Sequence, residues 1–219
     1  MTDKPTAADY LWITEQYEDW MEAYCVTYVQ GIAPGELLRT LGADLTERIT
    51  GVSRLPELTA AHIEEDERFF VGATSLGDWS VMVEYNGFLG ATDEALQPLS
   101  AGRTVVSHYR NANALHRFCW FADGTLRLDF DALFADSREG GDPDGLLADM
   151  AECGFDLTGE NDDDTHGWGY STVNASFALA ERLTGIRVTP RLLTSATYVC
   201  GLSANPWEGS GAPWGAVRT

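Results

Sequence analysis

Hydrophobic and polar side chains alternate most regularly between residues 79 and 134. Trp79–Tyr85 and Thr104–Arg110 are rich in β-branched and aromatic residues, which predicts two strands. A third run, Leu115–Phe130, has the same character on both sides of Asp123-Gly124. Asp-Gly is favoured where both residues of a two-residue turn need positive φ, so this run predicts a β-hairpin.

Further strands and helices are predicted on either side of this stretch. Phe69–Thr74 reads as a strand that pairs with the Trp79 strand, and Ser171–Thr184 has the clearest helical periodicity. Residues 44–54 show little pattern. Because the strands cluster in the first two thirds and do not alternate with long helices, the pattern favours an α+β fold over a doubly wound parallel sheet. We predict a central antiparallel sheet, a meander of hairpins at about residues 69–131, flanked by helices.

The chain is predicted to form one folded unit with a short tail. No internal repeat or low-complexity linker interrupts residues 1–202, so we expect a single α+β domain there. Residues 203–219 are rich in glycine and proline and contain two tryptophans, which predicts a flexible tail.

The predicted hairpin turn fixes which side chains share a face of the sheet, because side chains alternate with a period of two. Counting outward from the turn gives three pairs on one face: Trp120 with Arg127, Phe118 with Asp129, and His116 with Asp131. The other face is apolar and carries Phe121, Leu126, Cys119, Leu128 and Phe130. A slip of one residue would exchange the two faces.

The aromatic and charged face contains the candidate site residues. Arg127 lying over Trp120 would make a cation–π contact, and with Phe118 these residues form a candidate binding surface. His116 beside Asp131 would make an ion pair, a base oriented by a carboxylate, or half of a metal site.

If the strands at 104–110 and 115–121 pair, His108 and Asp129 join this group. The four weak catalytic candidates for a hydrolytic or metal site are therefore His116, Asp131, His108 and Asp129. The alternative is a semi-buried face that is covered by a helix and whose polar groups satisfy one another.

The amino-acid composition favours some classes of binding partner over others. With 14 basic and 34 acidic residues the net charge is −20, which disfavours binding to nucleic acid or to anionic membranes and favours a partner with a basic surface. Lys4 is the sole lysine, so a lysine nucleophile has no plausible candidate. The acidic loop between Asp156 and Trp168 includes the triplet Asp162, Asp163 and Asp164, a candidate for docking a cationic partner.

No metal or cofactor is predicted. The four cysteines are widely separated and lack the Cys-x-x-Cys spacing of zinc sites, so they are expected to be buried apolar residues. The chain has no apolar run of the ~20 residues that a membrane helix needs. Its first residues do not have the pattern of a signal peptide, so we expect a cytoplasmic protein.

Three runs of the chain resemble an uncharacterised family of actinobacterial proteins, a domain of unknown function. They are Trp79–Phe88, Ala180–Ile186, and Ala23-Tyr24-Cys25 followed by Pro34–Leu38. This resemblance implies no activity and no site residues. The acidic composition is also similar to that of bacterial immunity proteins.

Two classes of function follow. The first is a protein-binding protein without enzymatic activity, immunity-like or regulatory, that meets its partner through a negatively charged and aromatic surface. The second is a small-ligand-binding protein or hydrolase that uses the face with Trp120, Arg127, His116 and Asp131. The incomplete catalytic group favours the first class over an enzyme. The sequence does not determine the oligomeric state.

Overall fold

The computed structural model describes residues 4–62, 68–159 and 170–204. Nine strands lie in these ranges: β1 Tyr24–Gln30, β2 Asp44–Thr50, β3 Phe69–Leu76, β4 Trp79–Tyr85, β5 Thr104–Arg110, β6 His116–Ala122, β7 Thr125–Phe130, β8 Arg138–Glu139 and β9 Thr197–Ser203. They form one antiparallel sheet in the order β2-β9-β3-β4-β1-β5-β6-β7-β8.

Eight α-helices lie in the described ranges: α1 Leu11–Gln16, α2 Glu18–Met21, α3 Pro34–Thr40, α4 Leu55–His62, α5 Asp93–Leu99, α6 Leu147–Cys153, α7 Tyr170–Thr184 and α8 Pro190–Ser195. Two 3-10 turns accompany them, Ala7–Tyr10 and Leu89–Ala91. Most of these helices are too short to be stable alone, so their stability comes from packing against the sheet.

The predicted α+β class and antiparallel sheet are confirmed. The hairpins β3–β4 and β5–β6–β7 occur within residues 69–131 as expected. The sheet is also larger than the predicted meander, because β1 lies between β4 and β5 and joins the two hairpin groups. Ser203, placed in the predicted tail, is the last residue of β9. Residues 205–219 lie outside the described part of the chain.

Strand β2 was not predicted, and its position in the sheet explains why. It is an edge strand that pairs only with β9 among the described strands, and every one of its side chains except Ile49 is exposed. A strand without a buried face has no alternation of apolar and polar residues, which is the signal that sequence reasoning uses. A register shift between Leu45 and Arg48 further disturbs its pairing.

The two faces of the sheet are both buried but are covered unequally. The A face, which carries Val26, Val83, Val106 and Phe118, packs against α1, α2, α4, α6, α7 and α8. The B face, which carries Val29, Met82, Val105 and Phe121, packs against α3, α5 and the turn Leu89–Ala91. The B face therefore has the thinner cover, and a surface groove lies on its β2–β9–β3 end.

Candidate functional site

The turn of the predicted hairpin is confirmed, but the predicted register beyond it is wrong. Asp123 and Gly124 both have positive φ, 51° and 75°. Farther from the turn, Trp120 pairs with Leu128 instead of Arg127. Arg127 is an extra residue in β7, a β-bulge, and one extra residue moves every later side chain of the strand to the other face.

The neighbouring chain segment accounts for the bulge. Gly141 N–H donates to the Leu126 carbonyl at 3.0 Å, and Asp142 N–H donates to the Arg127 carbonyl at 2.9 Å. Successive carbonyls of a regular strand point to opposite sides, whereas these two both point towards the same segment. The alternation is therefore broken at Arg127 by a contact that is distant from the turn.

The predicted apolar face is consequently divided between the two sides of the sheet. Cys119, Phe121 and Leu126 lie on the B face. Leu128 and Phe130 lie on the A face with Phe118 and Trp120. The Phe118 and Phe130 rings stack with centroids 5.2 Å apart. Phe118 is thus a core residue and does not belong to a binding surface.

His116 and Asp131 do not form the predicted side-chain pair. Asp131 accepts from the backbone N–H of His116 at 3.4 Å and from that of Leu133 at 2.8 Å, so its carboxylate orders the chain after β7. The His116 ring is buried, and its Nε2 has no hydrogen-bond partner among the described residues. Burial, together with the positive charge of Arg110, lowers the pKa of His116 to about 3.

His108 is a core residue on the A face. Its Nδ1 lies 3.1 Å from the Tyr24 hydroxyl and its Nε2 lies 3.5 Å from the Tyr28 hydroxyl. Phe118, rather than His116, lies opposite it on β6. Burial lowers the pKa of His108 to about 3, so the ring is neutral at physiological pH.

Asp129 lies on the opposite side of the sheet from both histidines. It pairs with Arg117, whose Nε lies 3.0 Å from Oδ1, and Arg117 also binds Asp93 at 2.6 Å and the Ala91 carbonyl at 2.7 Å. Burial raises the pKa of Asp129, and the Arg117 guanidinium opposes that shift. The four catalytic candidates therefore do not converge, since the sheet separates Asp129 from the histidines.

One predicted contact of this group is confirmed. The Arg127 guanidinium carbon lies 5.8 Å from the centre of the Trp120 ring, within the range of a cation–π interaction. Arg127 also approaches Asp142 at 3.8 Å. The contact survives the register shift because a bulged side chain still reaches across to the neighbouring strand. The predicted acidic triplet Asp162, Asp163 and Asp164 lies outside the described residues.

A buried polar cluster that was not predicted lies on the B face around Glu84. Glu84 is fully buried, lies opposite Cys25, and accepts from Leu89 N–H at 2.9 Å and Gly90 N–H at 2.8 Å. No described cation pairs with it. Burial raises the pKa of the Glu84 carboxyl to about 7, although the two backbone donors oppose that shift.

Neighbouring groups complete this cluster. Thr27 Oγ1 and Ser107 Oγ are 2.9 Å apart, and Cys25 Sγ lies 3.5 Å from Ser107 Oγ. A Cβ at Gly90 would overlap Thr27 Oγ1, so glycine is required for the turn to approach this closely. Glu84 occupies a polar position in the strand alternation, which is equally typical of a solvent-facing residue; sequence reasoning therefore had no signal for its burial.

An acidic-aromatic surface lies on α1 and α2. We use this name for Leu11, Trp12, Glu15, Tyr17, Glu18, Asp19 and Glu22. The four carboxylates are exposed, and none forms an ion pair with a described cation. Leu11 is 49% exposed, while Trp12 and Tyr17 are half-buried.

No three His, Cys, Asp or Glu side chains in the described ranges are grouped as a metal site requires. None of the described helices has both the length and the apolar character needed to cross a membrane.

Comparison with known proteins identifies the family. No curated protein matches the chain, and no solved structure matches it. The family model described as "Family of unknown function (DUF6461)" matches residues 3–206, which is most of the 219-residue chain. The chain therefore belongs to the DUF6461 family of unknown function.

Proposed function

We propose that this protein is a binding protein without enzymatic activity, immunity-like or regulatory, that contacts a basic partner protein through the acidic-aromatic surface. The observation that carries this proposal is the unneutralised charge of that surface. Glu15, Glu18, Asp19 and Glu22 lie within eight residues of one another, and none of their carboxylates is within ion-pair distance of a described cation. Electrostatic complementarity of this kind accelerates encounter and selects partners.

Several other carboxylates of the described chain are paired with cations. Asp149 and Glu152 both bind Arg182, at 2.8 and 2.6 Å, and also bind Lys4. Asp9 binds Arg187 at 2.9 Å. The carboxylates of α1 and α2 differ from these because their charge remains available to a partner.

The aromatic residues give the surface a rigid base. The rings of Trp12 and Tyr17 meet edge to face at 6.1 Å, Tyr17 meets Trp20 at 6.4 Å, and Trp20 meets Tyr24 at 6.3 Å. This series of contacts connects the half-buried rings to the core. A surface that is already ordered loses less entropy when a partner binds, and aromatic residues are enriched in the energetic centres of interfaces.

The positions of the catalytic candidates also favour binding over catalysis. His108 and His116 are buried in the A-face core, and Asp129 is engaged by Arg117. General acid–base catalysis requires a group that reaches the substrate and titrates near the working pH. Lowering of the pKa of both histidines to about 3 removes that property.

The test is affinity purification from the native host at low salt, followed by measurement of the affinity of each recovered protein. The test variant carries Glu15→Gln, Glu18→Gln, Asp19→Asn and Glu22→Gln. The control carries Glu57→Gln, Asp78→Asn, Glu94→Gln and Asp123→Asn, four exposed carboxylates elsewhere. Both variants change the net charge from −20 to −16, which is −20 plus four neutralised carboxylates.

We expect the test variant to lose affinity by about tenfold or more and the control to bind as the wild type does. The wild-type complex should weaken as salt rises. Equal losses in both variants would reduce the effect to net charge alone, and recovery of only the free protein at low salt would contradict the proposal.

A further inference from the structure

The groove on the B face is a second candidate binding surface. Its volume is about 700 Å³, and it lies between α3 and the strands β2, β9 and β3, which α3 contacts. The residues that matter for its chemistry are Arg39, Arg48, Leu45, Ser75, Thr197 and Val199.

The strand register explains how the groove is built. Arg48 on β2 lies opposite Val199 on β9, and Val199 lies opposite Ala73 on β3. These three residues therefore share the B face, with the arginine at the exposed edge and apolar side chains towards the centre. Ser75 lies two positions from Ala73 on β3, and Thr197 lies two positions from Val199 on β9, so their side chains also point to this face.

The two arginines of the groove differ in their pairing from most arginines of the chain. Neither Arg39 nor Arg48 lies within ion-pair distance of a described carboxylate; Arg39 donates to the Gly35 carbonyl at 3.1 Å. Most other described arginines do have such a partner, and examples are Arg54, Arg68, Arg138 and Arg187.

The local charge contrasts with that of the whole molecule. Glu36 is the one carboxylate among the lining residues, so the groove carries a formal charge of +1, from two arginines and one glutamate, in a protein of net charge −20. Acidic residues outnumber basic ones by 34 to 14, so two arginines without a described carboxylate partner in the same groove are unexpected.

We propose that this groove binds a small organic anion whose carboxylate or phosphate group is held by Arg39 and Arg48. Guanidinium groups bind both anions through paired, charge-assisted hydrogen bonds. The hydroxyls of Ser75 and Thr197 supply further polar contacts, and Val199 and Leu45 offer an apolar surface to the body of the ligand. The negative charge of the rest of the protein repels an extended polyanion such as nucleic acid, so the ligand is a small one.

The test uses two aromatic dianions as probes, phenyl phosphate and phthalate, with dimethyl phthalate as the neutral control. Each is titrated to about 10 mM into ¹⁵N-labelled full-length protein, since a small-ligand site can be as weak as millimolar. We expect amide shifts confined to the lining residues, including Arg48, Thr197 and Val199, with at least one dianion and none with the neutral ester. Preference for one probe identifies the anionic group.

Variants establish which side chains bind. Arg39→Gln and Arg48→Gln should each weaken binding by about tenfold, because each removes a charge-assisted hydrogen bond. The double variant should not bind. Arg187→Gln, an exposed arginine that does not line the groove, should bind as the wild type does.

The absence of shifts at the lining residues with both dianions would overturn the proposal, as would unchanged binding by the double variant. The wild-type shift map is decisive even if a variant folds poorly. The acidic-aromatic surface shares no residue with the groove, so failure of either proposal does not affect the other.

Discussion

At the scale of single residues, Glu84 is a carboxyl group whose burial opposes its ionisation. Its carboxylate satisfies the N–H groups of Leu89 and Gly90, which begin a 3-10 turn that covers the B face. Buried backbone donors are nearly always paired. The energetic cost of burying the carboxyl is therefore offset by the turn that it holds in place.

We expect Glu84→Ala to destabilise the protein by about 2–4 kcal/mol, because it leaves two buried N–H groups without an acceptor. The measurement is the free energy of unfolding in urea. Glu94→Ala, at an exposed position of α5, is the control and should change stability by less than about 0.5 kcal/mol. Equal effects of the two substitutions would contradict the role given to Glu84.

Glu84 is also expected to make the free energy of unfolding depend on pH. Burial raises the pKa of Glu84 from 4.5 to about 7. Between these values the folded state holds a proton that the unfolded state has lost, so the contribution of Glu84 is complete below pH 4.5 and is lost as the pH rises through about 7. Glu84→Gln should remove this component from the plot of unfolding free energy against pH.

The two buried histidines act in the opposite direction and provide an internal comparison. Burial lowers the pKa of each from 6.5 to about 3. Their contribution is therefore present above 6.5 and is lost as the pH falls towards 3. Glu84→Gln should leave this loss of stability towards pH 3 unchanged. If Glu84→Gln altered only that acidic part of the plot, the pH dependence assigned to Glu84 would be wrong.

At the scale of secondary-structure elements, Arg117 connects parts that are distant in sequence. From β6 it binds Asp129 on β7, Asp93 at the start of α5, and the Ala91 carbonyl. Its side chain is 11% exposed and that of Asp129 is 14% exposed, so this pair is largely protected from water. Loss of one partner of a buried ion pair leaves the other charge unpaired, which costs more than the pair itself contributes.

Arg117→Met should therefore reduce stability by about 3–5 kcal/mol. Arg54→Met is the matched control, because the Arg54–Glu47 pair is exposed and such pairs contribute at most about 1 kcal/mol. Combining Arg117→Met with Asp129→Asn should cost less than the sum of the two single changes. Additive losses, measured by urea unfolding, would argue against a coupled network.

The β-bulge at Arg127 depends on a glycine in the segment that lies beside β7. Gly140 has a φ of 124°, and a Cβ there would lie 2.5 Å from the Arg127 carbonyl oxygen. Glycine at this position thus allows the segment that contacts the bulge to approach β7 closely.

Gly140→Ala should destabilise the protein by about 2 kcal/mol more than Gly102→Ala. Gly102 also has a positive φ, 69°, but a Cβ there meets nothing within 4 Å. Thermal unfolding of the two variants measures the difference. Equal losses would mean that backbone conformation alone, and not the contact with β7, requires the glycine.

At the scale of the whole molecule, the net charge of −20 is the dominant feature. Like charges repel one another and destabilise the compact state, whereas most ion pairs that oppose this effect are at least partly exposed and individually weak. Screening should therefore favour the folded state.

We expect the melting temperature to rise as NaCl is increased from about 20 mM to about 0.5 M, since the screening length falls to a few ångströms. KCl should give the same increase, which separates screening from binding of a particular cation. A melting temperature that falls with salt would indicate that the ion pairs outweigh the repulsion.

Elements with a strong local signal were predictable from the residues alone. Strand-forming runs and the Asp123-Gly124 turn predicted the antiparallel hairpins, and helical periodicity predicted α7 to within one residue of its first position. These features depend on interactions between residues close in sequence, namely turn geometry and one buried face per element. The resemblance quoted from three runs also agreed with the family that residues 3–206 match.

Contacts between segments that are distant in sequence determine which side chains share a surface. The bulge at Arg127 depends on hydrogen bonds from Gly141 and Asp142, and the burial of Glu84 depends on a turn that folds back over β1, β4 and β5. The groove with Arg39 and Arg48 forms because β9, from the end of the described chain, pairs with both β2 and β3. Contacts between distant segments leave no local pattern, so the chain predicts its strands and helices more reliably than its sites.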